Sequence, residues 1–147
     1  MGKQVKVINN IHSGLGFYLN PTPESFRLLP KQGSFLKIDE EEIDYIHINQ
    51  EVIQKGMLWI DDKEVRVKLG LETETGEKTN SNVVRNEEII ELVQGNYKKL
   101  EKELNEITEK AIILQFVEVA RELKLDSKAK IDIIEKKAKM KIYDDEE

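Results

Sequence analysis

Cysteine is absent from the chain, tryptophan occurs once, histidine twice and proline three times in 147 residues. Without cysteine there can be no disulfide and no thiolate metal ligand, a usage that fits synthesis in a reducing cytoplasm. The two histidines, His12 and His47, lie far apart and form neither an HxxxH nor an HxH pattern, so imidazole metal or acid–base chemistry has little material. No apolar run approaches the ~20 residues that span a bilayer. The opening Met1-Gly2-Lys3-Gln4-Val5-Lys6 lacks the apolar core of a secretory signal. A soluble protein without a membrane partner is the expectation. An excess of positive charge is missing too. Lys and Arg number 23 against 29 Asp and Glu, for a net charge of −6. Divided after Glu72, the front carries nine basic and eleven acidic residues and the back fourteen and eighteen, so neither half has the cationic surplus that phosphate binding demands.

What is present is a change of period. Before Thr73–Asn82, apolar residues alternate in short runs: Lys3–Ile8, Met57–Ile60, Val65–Leu71. After it they recur every three or four residues, at Tyr97, Leu100, Leu104, Ile107, Ala111 and Leu114. Alternation reads as strand and the three-four spacing as helix. The fold class expected is therefore α+β, with a small N-terminal β-barrel or β-sandwich carrying one short helix and a C-terminal helical hairpin or bundle. The boundaries follow the composition: a β-rich domain over 1–72, a linker or mobile loop over 73–82, and a helical domain over 83–147. Glu72–Asn82 contains no apolar residue at all.

In the front part, strands are predicted over Gln4–Ile8, Leu15–Leu19, Phe26–Leu29, Phe35–Ile38 and Met57–Ile60. Pro21 and Pro23 interrupt the ladder after the second. The acidic run Asp39-Glu40-Glu41-Glu42 suits a helix N-terminus, so Glu40–Ile46 reads as a short helix. Asp61-Asp62-Lys63 reads as a tight turn into a further strand, Glu64–Leu69. In the back part, Asn86 is the expected cap of a helix ending at Gln94-Gly95-Asn96, and a single long helix is predicted from Tyr97 to Leu123. Asp126 or Ser127 would cap a last helix bearing Ile131, Ile133, Ile134 and Ala138. Met140–Tyr143 would form a short strand or a tail anchor before a solvated end, Asp144–Glu147.

Candidate sites are few. Gly14-Leu15-Gly16 lacks the third glycine and the helix of a phosphate loop, and a plain turn explains it better. The acids Asp39–Asp44 are contiguous and lack the glycine of a calcium loop, so capping and solvation explain them. His47, between Ile46 and Ile48, fits a half-buried imidazole. No serine lies in a nucleophile-elbow context, and no pair of carboxylates stands out. No catalytic, cofactor-binding or metal-binding residue is therefore assigned, and a non-enzymatic role is expected. Trp59 is either core or an interface anchor, with core the preferred reading. The narrow stripe Tyr97, Leu100, Leu104, Ile107, Leu114 suits pairing with one partner helix. Lys124, Lys128, Lys130, Lys136, Lys137, Lys139 and Lys141 give the terminal helix a cationic face, and Leu123–Ile131 bears a faint likeness to helix–extended-loop–helix DNA binders of the SAP type. A nucleic-acid-binding accessory protein is thus the alternative, weakened by the interspersed Asp126, Asp132 and Glu135 and by the lack of stacking aromatics.

The stretches Val5–Asn9, Phe26–Gly33, Phe35–Asp39 and Gly56–Ile60, with Leu92–Tyr97, Leu100, Leu104, Val119-Ala120 and Lys130-Ile131 behind them, carry a family likeness. In these segments the chain is similar to small virion structural proteins from the morphogenesis modules of tailed bacteriophages, in which a short β-domain precedes a helical segment. The resemblance implies a non-enzymatic bacteriophage structural protein, made in the host cytoplasm and located in the virion. It would dock on a capsid or connector lattice through the β-domain and associate through its C-terminal helices as a homo-oligomer or a lattice-bound subunit. It implies no catalytic residue.

Overall fold

A computed structural model describes residues 3–143. The chain divides into two compact units, Met1–Val83 and Val84–Glu147. The class is mixed α+β: antiparallel strands in two sheets occupy the first unit, and four of the six α-helices among the described residues lie in the second.

The first unit is organised by β1 (Gln4–Asn9), which lies between β4 (Phe35–Asp39) and β5 (Leu58–Ile60), antiparallel to both. Strand alternation divides its side chains. Val5, Val7 and Asn9 point inward with Ile38, Leu58 and Ile60, and all six are at most 2% exposed. Helix α1 (Glu40–Asn49) follows β4 without a break and buries Ile43 and Ile46 completely. Glu42 Oε1 accepts the Asp39 N–H at 2.9 Å, satisfying one of the donors left over at a helix start. A two-stranded sheet of β2 (Leu15–Tyr18) and β3 (Phe26–Leu29) completes the strands, joined through a 3₁₀ turn at Pro23–Ser25.

Buried Asn9 ties these pieces together. Its amide donates to the Ser13 carbonyl at 2.8 Å and the Leu29 carbonyl at 3.1 Å, and its Oδ1 accepts the Ile11 N–H at 2.9 Å. At the same point β4 begins with a bulge. The Gly33 N–H donates to the Asn9 carbonyl while the Asn9 N–H donates to Ser34, and Gly33 has φ +88°, a conformation that other residues adopt only with strain.

The expected strand Glu64–Leu69 is instead helix α2 (Lys63–Lys68), so the front part holds two helices rather than one. Asp62 decides it. Its Oδ1 accepts the Val65 N–H at 3.1 Å, an N-cap that outweighs the alternation of Val65 and Val67. The polar segment after Leu71 folds back on itself, with Glu72 bridged to Lys78 and the Thr73 N–H donating to the Glu77 carbonyl at 2.8 Å. Asn80 donates its side-chain amide to the Gln54 carbonyl at 2.8 Å.

The second unit consists of α3 (Asn86–Gln94), α4 (Tyr97–Asn105), α5 (Lys110–Glu122) and α6 (Lys128–Ala138). Helices α4 and α5 both pack on α6, and α3 packs on both α4 and α5. The core holds Ile89, Val93, Leu100, Leu104, Ile112, Phe116, Val119 and Ile134, each wholly buried. The single helix expected from Tyr97 to Leu123 is broken at Glu106–Glu109. The Glu106 and Ile107 N–H groups turn back to the Glu103 and Leu104 carbonyls, and the Glu109 carbonyl accepts from Ile112 and Ile113 to start α5. The apolar spacing runs through this break unchanged because Ile107 fills the core from the turn itself. Helix α3 is capped one residue earlier than expected, with Glu88 Oε1 on the Arg85 N–H at 3.0 Å. Ser127 caps α6.

Past α6 there is no strand among the described residues, and the chain is anchored. Ile142 is buried, its N–H donates to Glu135 and its carbonyl accepts from Arg121 Nε at 2.7 Å, while the Tyr143 hydroxyl donates to the Leu125 carbonyl at 2.8 Å. The expected solvated end, Asp144–Glu147, lies outside the described residues.

Candidate functional site

The outer face of the three-stranded sheet carries side chains the core does not use. Ile8 is paired on one side with Phe35 and on the other with Trp59, so an aromatic–aliphatic–aromatic row crosses all three strands. Ile8 and Trp59 are half-buried, and Phe35 is 54% exposed. A cation stacks on each aromatic end. Lys6 Nζ lies 4.3 Å from the Phe35 ring centre, and the Arg66 guanidinium lies 4.6 Å from that of Trp59. Arg66 is held there by Glu72 at 2.6 Å and by the Ile60 carbonyl at 2.7 Å. Lys37, exposed, sits directly opposite Lys6 in the ladder.

The β2–β3 hairpin has a second such face. Tyr18 opposes Phe26 and Gly16 opposes Leu28, and the three larger side chains are 45%, 45% and 59% exposed. The two rings meet edge to face at 5.1 Å. Phe26 lies across Gly16, where an added Cβ would come within 2.5 Å of the ring tip. The Gln50 amide clamps the Tyr18 backbone, accepting its N–H at 2.9 Å and donating to its carbonyl at 2.7 Å.

Several charged groups around α2 are paired. Lys3 is held in its charged form above the ordinary lysine range by Glu64 and then by Asp62. Burial pushes the Asp62 carboxyl up, but the Val65 N–H and Lys3 outweigh it and the net displacement is downward. Lys68 is raised by Glu40, at 2.7 Å.

The residues singled out from sequence fall into different settings. Trp59 belongs to the outer-face row and not to the inner core. Leu100, Leu104 and Ile107 are core residues of the helical unit, Leu114 is half-buried on α5, and Tyr97, 45% exposed, opens α4. The stripe expected to meet a partner helix is thus spent largely on α4's own neighbours. Among the lysines, Lys130 donates to the Val93 carbonyl at 2.9 Å, Lys137 to Asn105 at 3.3 Å, and Lys128 pairs with Asp132 at 3.6 Å. Among the described residues no three His, Asp or Glu side chains converge as a metal site would need, and no helix is long and apolar enough to cross a membrane. Phe35, Lys6 and Tyr18 were not singled out from sequence. Alternation in Phe35–Ile38 and Lys3–Ile8 carried the signal, but only the register brings Phe35, Ile8 and Trp59 into one row.

No protein-family model, curated protein or solved structure matches the chain.

Proposed function

We propose that this chain is a non-enzymatic docking subunit of a tailed-bacteriophage particle, held on a capsid or connector lattice by the strand faces of its N-terminal unit. The observation that carries the reading is the set of aromatic and aliphatic side chains left outward on regular strands: Phe35 on one sheet, Tyr18, Phe26 and Leu28 on the other. Rigid aromatic side chains on a sheet lose little entropy when covered and make the usual anchors of an interface. In this reading the two small sheets act as a sandwich-like head, and the helical bundle is a self-contained appendage. The engagement of Lys128, Lys130 and Lys137 within the chain favours docking over nucleic-acid binding by the terminal helix.

The test is co-expression with the capsid and connector proteins encoded by the same genome, followed by gradient sedimentation of the particles formed. The chain is expected to travel with the particles, and Phe35→Ser combined with Leu28→Ser to release it. A chain left at the top of a gradient that contains well-formed particles would contradict the proposal.

A further inference from the structure

The hydrogen-bond phase of the central sheet shows which backbone groups are spoken for. Asn9 bonds toward β4, whereas Lys6 and Asn10 bond toward β5 at Asp61 and Met57. Odd-numbered residues of β1 therefore face β4, and by the register they bond Ser34, Leu36 and Ile38. Phe35, Lys37 and Asp39 turn their N–H and C=O groups to the free edge. Several backbone groups on the other edges of the unit are taken up locally. The Leu58 N–H donates to the Val52 carbonyl at 3.0 Å, the Ile60 carbonyl accepts from Arg66, and the Tyr18 backbone is clamped by Gln50, while on β4 itself Glu42 takes the Asp39 N–H. Among the described residues nothing is hydrogen-bonded to the outward groups of Phe35 and Lys37.

From this edge we infer the form and chemistry of the docking partner: an extended strand that adds to β4 and places a carboxylate against Lys37 and Lys6. The inference rests on the docking reading and gives it a partner. Two outward residues offer four backbone groups over about 7 Å, enough to set the register of an added strand. Side chains of that strand opposite Phe35 and Lys37 fall on the sheet's outer face, where Phe35 offers apolar surface and Lys37 a cation. Lys6 and Lys37 oppose each other directly in the ladder. Like charges in that position destabilise a sheet, and an incoming carboxylate relieves the repulsion. A second copy of this chain is disfavoured as occupant, because pairing β4 with itself would gather four lysines on one face.

The test uses the full chain and a fluorescein-labelled peptide of alternating Glu and Val, read by anisotropy at low salt. Controls are the same peptide N-methylated at alternate residues, a Lys-Val peptide and a labelled oligothymidylate. The acidic peptide is expected to bind. Its affinity is expected to fall roughly tenfold with Lys37→Glu and with N-methylation, the loss of one charge-assisted or main-chain contact set. It should be unchanged with Lys99→Glu, a charge reversal in the other unit, and thermal melting checks that Lys37→Glu is folded. No binding of the acidic peptide, equal binding of its N-methylated form, or preference for the Lys-Val peptide or the oligonucleotide would overturn the inference. If the chain still sediments with particles in any of those cases, the edge assignment alone has failed. If it does not, the docking reading has failed with it.

Discussion

The two units dispose of their apolar side chains in opposite ways. In the helical unit the exposed large apolar residues, Tyr97, Leu123, Met140 and Tyr143, sit singly at helix ends or in the tail, and the faces of α3 to α6 are spent on each other. Among the described residues of the strand unit the exposed ones, apart from Ile48, lie on regular strand positions, where alternation forces every second side chain away from the core. A helix can turn a single stripe inward. A small sheet covered on one side must show its other face, and here that face is aromatic and cationic where solvated threonine or glutamate would serve. Chance exposure of a few apolar residues is normal. A cross-strand row with a cation on each end is a built feature.

This contrast can be broken most severely in the helical core. Phe116→Ala should destabilise the second unit by about 4 kcal/mol, a transfer-plus-cavity cost for a side chain with no exposed surface, read by urea unfolding followed by far-UV circular dichroism. Leu104→Asp should cost still more and melt the helices, because it buries a carboxylate. Either variant unfolding like the unmutated protein would mean that these side chains are not core. In the strand unit, Asn9→Ala should cost about 2 kcal/mol, since the Ser13 and Leu29 carbonyls and the Ile11 N–H lose their partner together.

Smaller effects sharpen the picture. Asp62→Ala should cost about 1 kcal/mol by uncapping α2. Its carboxyl titrates below the ordinary range when folded, so the stabilisation is present above that range and disappears as the pH falls through the folded value. Lys3 and Lys68 work the other way: their contribution is full below the ordinary lysine value of 10.5 and is lost as the pH rises beyond it. Asp62→Asn should therefore flatten the acid limb of a stability–pH curve and leave the alkaline loss through Lys68 in place. The smallest effects belong to the outward faces. Phe35→Ser should change stability by no more than about 0.5 kcal/mol. Gly16→Ala should do little to stability, because the added methyl meets only the movable tip of Phe26, yet it should shift the Phe26 and Tyr18 ring resonances in NMR spectra.

The sequence was legible where local chemistry and tertiary demand agree. The strands at Gln4, Leu15, Phe26 and Phe35, the acidic start of α1 and the cap at Ser127 are all local signals. It misled where a weak local signal competed with a stronger one: Val65 and Val67 alternate like a strand, but the Asp62 cap and the helix-forming Lys63, Glu64, Arg66 and Lys68 win. It was silent about the break at Glu106–Glu109, because Ile107 keeps the helical phase across a turn. The outward row could not be read at all, since the pairing of Ile8 with both Phe35 and Trp59 is set by register between strands distant in sequence.

Amide hydrogen exchange of the chain alone and on assembled particles tests the central claim most directly. Docking by the strand faces predicts new protection over Phe26–Asp39, including the Phe35 and Lys37 amides, with exchange in α4 to α6 unchanged. Protection confined to the helices, with β3 and β4 exchanging as they do in the free chain, would contradict it.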